Sequence, residues 1–143
     1  MLPDNMDNKS LQIKSHSKPG FKPVIYFEKW RVAYANTASD ATSKNIIKIE
    51  KHTKTDEVFV LLNGKCAMIA GGNGQKPWDK LKIVPMKQGV CYNFPKNAWH
   101  GALMKKNSKI LIVENRDTGD HNTKYFYLTK PQVTLVRKYK EYR

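Results

Sequence analysis

Short apolar runs that alternate in phase and are cut apart by turn residues constrain this chain more than any other feature. The runs are VIYFEKWRVAYA (24–35), IIKIEKH (46–52), EVFVLLNGKCAMIAGG (57–72), KLKIVPM (80–86), VCYNF (90–94), KILIVEN (109–115), KYFYLT (124–129) and VTLVRKY (133–139). They are rich in β-branched and aromatic residues, which fit a pleated, half-buried surface. Polar or glycine-rich breaks separate several of them, including NTASDATSKN (36–45) and KQG (87–89). Apolar residues rarely recur at the i, i+3, i+4 spacing of a helix, so no long amphipathic helix is expected. Asn63-Gly64, between two apolar runs, reads as a hairpin turn, because a type I′ turn needs positive φ at both positions. Eight or more short strands at regular spacing predict a mainly-β sandwich or barrel.

Strand parity then sorts the polar residues, since alternate side chains share a face. Glu50 and His52 fall on one face with Ile46 and Lys48, while Ile47, Ile49 and Lys51 fall on the other. In 57–62, Glu57 shares a face with Phe59 and Leu61, opposite Val58, Val60 and Leu62. That strand is apolar on both sides and needs a cover on each. A barrel interior covers one side, and a packed N-terminal segment or a second subunit is expected on the other.

A chain of 143 residues suggests a single domain. Residues 1–20 are polar and end in Pro19-Gly20, so they read as a flexible arm ahead of one domain over 21–143. No apolar run approaches the ~20 residues that span a bilayer, and MLPDNMDNKS has neither the basic nor the apolar region of a signal peptide. A cytoplasmic location is expected. Cys66 and Cys91 have no CxxC partner, so they are expected as reduced strand residues, and a thiolate zinc site is excluded.

The net charge is +14, which invites a nucleic-acid reading. A binding footprint should be clustered. Residues 1–45 carry 7 basic and 4 acidic side chains, residues 46–100 carry 9 and 4, and residues 101–143 carry 10 and 4. The excess is spread along the chain, and the densest stretch is RKYKEYR (137–143). A basic-surface nucleic-acid binder is therefore an alternative rather than the leading expectation.

Two windows carry the chemistry. The first is Glu50-x-His52-x4-Glu57-x6-Gly64 in IEKHTKTDEVFVLLNG, and the second is Gly89-x5-Pro95-x-Asn97-x2-His100 in GVCYNFPKNAWH. Their order and spacing resemble the two motifs of the cupin superfamily, G-x5-H-x-H-x3,4-E-x6-G and G-x5-P-x-G-x2-H-x3-N, and in particular its small single-domain bacterial members. The departures are Glu50 for the first histidine, Asn97 for a glycine, Met104 for the closing asparagine and Lys44 for the opening glycine. Asn97 is mild, since asparagine tolerates left-handed backbone.

The resemblance implies a double-stranded β-helix, a jelly-roll barrel of two antiparallel sheets, with a divalent metal inside it held by Glu50, His52, Glu57 and His100. Two imidazoles and two carboxylates suit Mn, Fe, Ni, Co or Zn, and an open position would take water or substrate. Glu50 is alternatively a general base beside the metal. The expected pocket adds Lys48, Phe59, Tyr92, Phe94, Met104 and Glu114, with Glu114 in phase with Ile110 and Ile112. Trp99, out of phase with His100, is expected to pack, and His121 in TGDHN to be exposed. The resemblance further implies a homodimer and a small-molecule ligand such as a sugar or organic acid. Cupin enzymes of this kind include isomerases, lyases and dioxygenases. A metal-free binding pocket and a purely structural role for these polar residues remain the competing readings.

Overall fold

The structure is a computed structural model, and residues 6–7 and 10–139 are described. The strands are β1 (Met6–Asp7), β2 (Gln12–Ile13), β3 (Gly20–Phe27), β4 (Trp30–Asn36), β5 (Lys48–His52), β6 (Glu57–Asn63), β7 (Cys66–Ala70), β8 (Lys82–Pro85), β9 (Cys91–Phe94), β10 (His100–Met104), β11 (Lys109–Asn115) and β12 (Thr123–Tyr127). One helix, α1 (Lys130–Arg137), follows. The small β1–β2 pair stands apart from two five-stranded antiparallel sheets, ordered β12-β5-β10-β7-β8 and β3-β4-β11-β6-β9. The two sheets face each other as the expected jelly roll.

The apolar runs explain the layers. Phe59 and Leu61 of β6, Ile110 and Ile112 of β11, Met68 of β7 and Met104 of β10 are all buried in one cluster between the sheets. Parity assigned Phe59, Leu61, Ile110 and Ile112 to the inner face, and Met104 was expected in the pocket. A second cluster covers the outer face of the sheet containing β5, β7 and β10. There Ile49, Ala67, Ile69, Trp99 and Leu103 pack with Val136 of α1. Trp99 is a packing residue, as its phase implied.

Several local expectations are corrected. The run 133–139 is not a strand: Lys130–Arg137 is a helix. Thr129 caps it by accepting from the Gln132 amide, Gln132 reaches back to the Thr129 amide, and a proline stands in the first turn. This reciprocal cap satisfies two amides that have no partner within the helix. The Asn63-Gly64 pair does not close a hairpin. β6 and β7 belong to different sheets, so the turn is a crossing between layers. Gly64 adopts φ 86°, and a Cβ there would run into Ser108. Ser108 holds the crossing by accepting from the Lys65 amide and donating to the Lys65 carbonyl. The run 24–35 splits into β3 and β4 around Glu28 at φ 47°. β10 was not foreseen as a strand, since His100-Gly101-Ala102 lacks β-branched residues.

From the polar segment 1–20, the carbonyls of His16 and Lys18 accept hydrogen bonds from Asn36 Nδ2, and that of Lys14 accepts from the Tyr34 hydroxyl. Most of the basic tail 137–143 lies outside the described residues.

A candidate metal centre at the barrel end

β5 ends on His52, β6 begins on Glu57 and β10 begins on His100, so three chemically active side chains meet at one end of the barrel. Register aligns them. His100 pairs with Glu50, and Glu50 in turn pairs with Tyr125 of β12. On the facing sheet, Glu57 pairs with Glu114 of β11 and with Phe94 of β9. The turn before His100 is built around Asn97 at φ 70°, whose amide donates to the His52 carbonyl at 2.8 Å. The asparagine at the motif's glycine position therefore uses the left-handed backbone it tolerates.

Glu57 Oε1 lies 3.1 Å from His52 Nε2 and 2.8 Å from His100 Nε2. Both histidines are buried, and Glu57 is 5% exposed. Phe94 stacks on the His100 ring at 4.7 Å, and Phe59 packs edge-on against it. The outer ring nitrogens are also engaged. His100 Nδ1 is 2.9 Å from the Ala98 carbonyl, and His52 Nδ1 is 2.8 Å from the Thr123 hydroxyl. A carbonyl only accepts, so His100 Nδ1 donates. That leaves the lone pair of a neutral His100 at Nε2, aimed at a carboxylate oxygen that is itself an acceptor. A cation must lie between them, either a proton or a metal.

The donors also fit a metal in their wider arrangement. The ligand atoms of Glu50, His52 and His100 lie within 4.8 Å of one another, and so do those of His52, Glu57 and Glu114. The chain supplies only imidazole and carboxylate donors here, a borderline-hard set that suits the first-row divalent ions. Histidine ligands elsewhere donate their second ring N–H to a carbonyl or hydroxyl, as Ala98 and Thr123 allow here. Glu114 Oε1 is buried and has no hydrogen-bond partner.

Burial and charge shape the titration of the group. Burial raises the Glu50 carboxyl above its ordinary value, although the two histidines pull the other way. Burial opposes charge on His52, but the Glu57 hydrogen bond and charge outweigh it and raise its pKa. Burial also opposes ionisation of Glu57, yet hydrogen bonds from His100 and His52 hold it well below the usual carboxylate range. Burial and the facing Glu57 push Glu114 up to about 8 despite Arg31. Glu57 is thus the charged member of the pair and Glu114 the protonated one.

The remaining expected residues fall as follows. Tyr92 packs against the inner cluster with Phe94, and Met104 is buried there. Lys48 is exposed, with Nζ 4.6 Å from the Tyr125 ring centre and 6.0 Å from that of Tyr127. Lys48 does not reach Glu57, whose partners are the two histidines. Glu114 lies deeper than the rim, 3.9 Å from His52. His121 is exposed. Sequence reasoning missed Thr123, Tyr125, Tyr127 and Arg31. The β12 residues could have been found by giving 124–129 the parity of its neighbour.

No protein-family model and no curated protein matches the chain. Solved structures match its fold. KdgF from Halomonas sp. shares 13% identity over 75% of this chain and 88% of its own, with a TM-score of 0.51. Pac13, a nucleoside dehydratase, shares 8% identity over 81% of this chain and 86% of its own, with a TM-score of 0.54. The Streptomyces Pac13 has also been solved with uridine. A cupin-2 domain protein from Shewanella frigidimarina shares 19% identity over 71% of this chain and 85% of its own, with a TM-score of 0.48. The fold is a cupin double-stranded β-helix. Among the described residues, no helix is long and apolar enough to cross a membrane.

Proposed function

We propose that this cupin is a metal-dependent enzyme acting on a small polar metabolite, with His52, His100, Glu57 and Glu50 holding one divalent transition metal. The observation that carries this reading is the cluster of ligand atoms of Glu50, His52 and His100 within 4.8 Å of one another, with Glu57 Oε1 against both imidazoles. A bound metal would supply Lewis-acid polarisation of a substrate oxygen or an activated water. The chain's own contribution is positional. Ala98 and Thr123 fix the two imidazoles, Phe94 and Phe59 shield them from water, and Glu50 stands on the open side. In the alternative role, Glu50 stands beside the metal rather than on it and takes or returns a proton at substrate. Lys48 and the exposed Tyr125 and Tyr127 line the approach, which favours a small anion with a face to stack, such as a sugar acid or another organic acid. Isomerisation, elimination and oxygenation all remain within the chemistry of such a centre, since fold does not choose among them.

The chain's free thiols, Cys66 and Cys91, are in keeping with a reducing cytoplasm. We take 21–143 as the working domain, with 1–20 as an arm, in a homodimer. The competing reading is a metal-free binding cupin in which a protonated His52 neutralises Glu57, and the raised His52 pKa favours it.

Elemental analysis of protein purified without added metal decides between the two. The enzyme reading expects near-stoichiometric Mn, Fe, Ni, Co or Zn, lost in both His52→Ala and His100→Ala. Absence of metal, together with no thermal shift on adding these ions, sinks it.

A further inference from the structure

Glu114 is the buried acid that the two motifs do not include. It sits in an inner-face row that runs Arg31, Glu114, Glu57, Phe94 across four strands. Its Oε2 accepts from Arg31 Nη2 at 2.7 Å and from Arg31 Nε at 3.1 Å. Arg31 is itself fixed, because it also donates to the carbonyls of Arg116 and Thr118. The clamp sets the carboxylate plane and leaves Oε1 directed away from Arg31. Oε1 has no hydrogen-bond partner, although the side chain is only 2% exposed. Without a metal, the proton that Glu114 keeps opposite Glu57 covers this oxygen; ionised, a buried acceptor without a partner is costly. So are two acids directly opposite each other on one sheet face. Oε1 lies 3.9 Å from His52 Nε2, and His52, Glu57 and Glu114 offer ligand atoms within 4.8 Å of one another. Two donors that each lie ~2.1 Å from one ion can be up to ~4.2 Å apart. The orphaned oxygen is therefore within about half an ångström of the range that a shared ion spans.

We propose that Glu114 Oε1 is a further ligand of the divalent metal, delivered by β11 and oriented by Arg31, beyond the residues of the two cupin motifs. The inference rests on the metal reading above. It also accounts for the charges in the row: a divalent ion between Glu57 and Glu114 removes the clash of two ionised facing acids, while Arg31 neutralises the far oxygen. Glu50 is then relieved of carrying the whole burden of the replaced motif histidine, and is left nearer the substrate.

The test compares wild type with Glu114→Gln, Glu114→Asp, Glu50→Gln and His100→Ala. Mn(II) and Co(II) affinities are measured by competition with a chelator, and Co(II) visible absorption reports coordination, since fewer ligands give stronger bands. Glu114→Gln is expected to weaken both ions at least about 10-fold, the scale at which even an outer-shell partner acts, and to strengthen the Co(II) bands. If Glu114→Gln fails to fold, Glu114→Asp keeps the charge and shortens the reach, and must show the same loss of affinity. Wild-type affinity and an unchanged Co(II) spectrum in these variants overturn the Glu114 assignment and leave the metal reading standing. A wild type that binds neither ion, like His100→Ala, overturns the metal reading itself.

Discussion

Glu57 and Glu114 face each other across β6 and β11, and their unequal titration gives the metal-free protein a definite pH profile. Glu114 keeps its proton up to about 8 in the fold, while the unfolded chain loses it near its ordinary 4.5. Between those values the folded state binds more protons, so stability falls as pH rises. His52 acts in the same direction. Its folded pKa lies above the ordinary 6.5, so its contribution is complete below that value and is lost as pH rises through the folded one. Glu57 acts in the opposite direction, because its depressed pKa makes a contribution that is lost as pH falls below about 4.5. In chelator, the urea midpoint should therefore be higher at about pH 6 than at about pH 8.5, and Glu114→Gln should flatten the difference. A midpoint that rises over this interval contradicts the assignment of protons. Saturating metal should reduce or reverse the slope, since the ion displaces those protons. At this scale much of the centre was legible. Spacing and parity bring Glu50, His52, Glu57 and His100 together, and phase alone turns Glu114 inward. Arg31 was not legible, because it lies 83 residues from Glu114 and only the β4–β11 register makes them neighbours.

The elements divide into those whose pattern is local and those whose partners are remote. The alternation of β6 and β11 predicted which residues enter the barrel, because both strands are apolar inside. The C-terminal run failed for a physical reason: VTLVRKY has the β-branched composition of a strand, yet the Thr129-x-x-Gln132 cap with Pro131 fixes its first turn as helix. The helix then buries Val136 completely on the sheet that carries His52 and His100, and Gln132 donates to the Trp78 carbonyl at 3.0 Å. Tertiary burial thus overrides propensity. Thr129→Ala removes one half of the cap and should cost about 1 kcal/mol in equilibrium unfolding. The α1 side lies on the opposite face of the sheet from the centre, so divalent-ion affinity should stay at the wild-type value. A large drop in affinity with this variant would show that the helix helps to position β5 and β10. The Asn63-Gly64 signal misled differently. A dipeptide that favours positive φ serves a layer crossing as well as a hairpin, and which of the two occurs is set by Ser108, far along the chain.

At the scale of the whole molecule, basic side chains lie over several exposed or half-buried aromatics, among them Lys82 over Trp78, Lys109 over Tyr34 and Arg116 over Tyr26. The chain carries +14, yet the outer face of the sheet built on β4, β11 and β6 presents Val32, Val113 and Val58 in one row and Tyr34, Leu111 and Val60 in the next. These residues are half-buried rather than covered, and the nearby Trp30 and Phe27 are 43% and 56% exposed. A groove of about 470 Å³ at one end of this face is lined by Trp30, Val58 and Val113 together with the charged Lys54, Asp56, Lys96 and Glu114. On β4, β11 and β6 these two rows carry no formal charge, although Lys22 of β3 extends the second row beside Tyr34 and Lys109 Nζ lies 5.1 Å from the Tyr34 ring centre. We propose a second copy of the chain as their partner. Two such faces are self-complementary under a two-fold axis, with Lys22 and Lys109 lying to one side of the uncharged Val32, Val113 and Val58 row. A stable interface needs about 800 Å² from each partner, which this face could supply only if most of the five-stranded sheet takes part. The wild type should therefore elute as a dimer in size-exclusion chromatography with light scattering. Val60→Lys, at the centre of the face and pointing away from the barrel, should give a folded monomer with metal content unchanged. A wild type that is monomeric at high concentration rejects this use of the face. A Val60→Lys variant that remains dimeric moves the interface elsewhere, with the segment before β3 as the next surface to test, since it already packs on β4 through Asn36 and Tyr34.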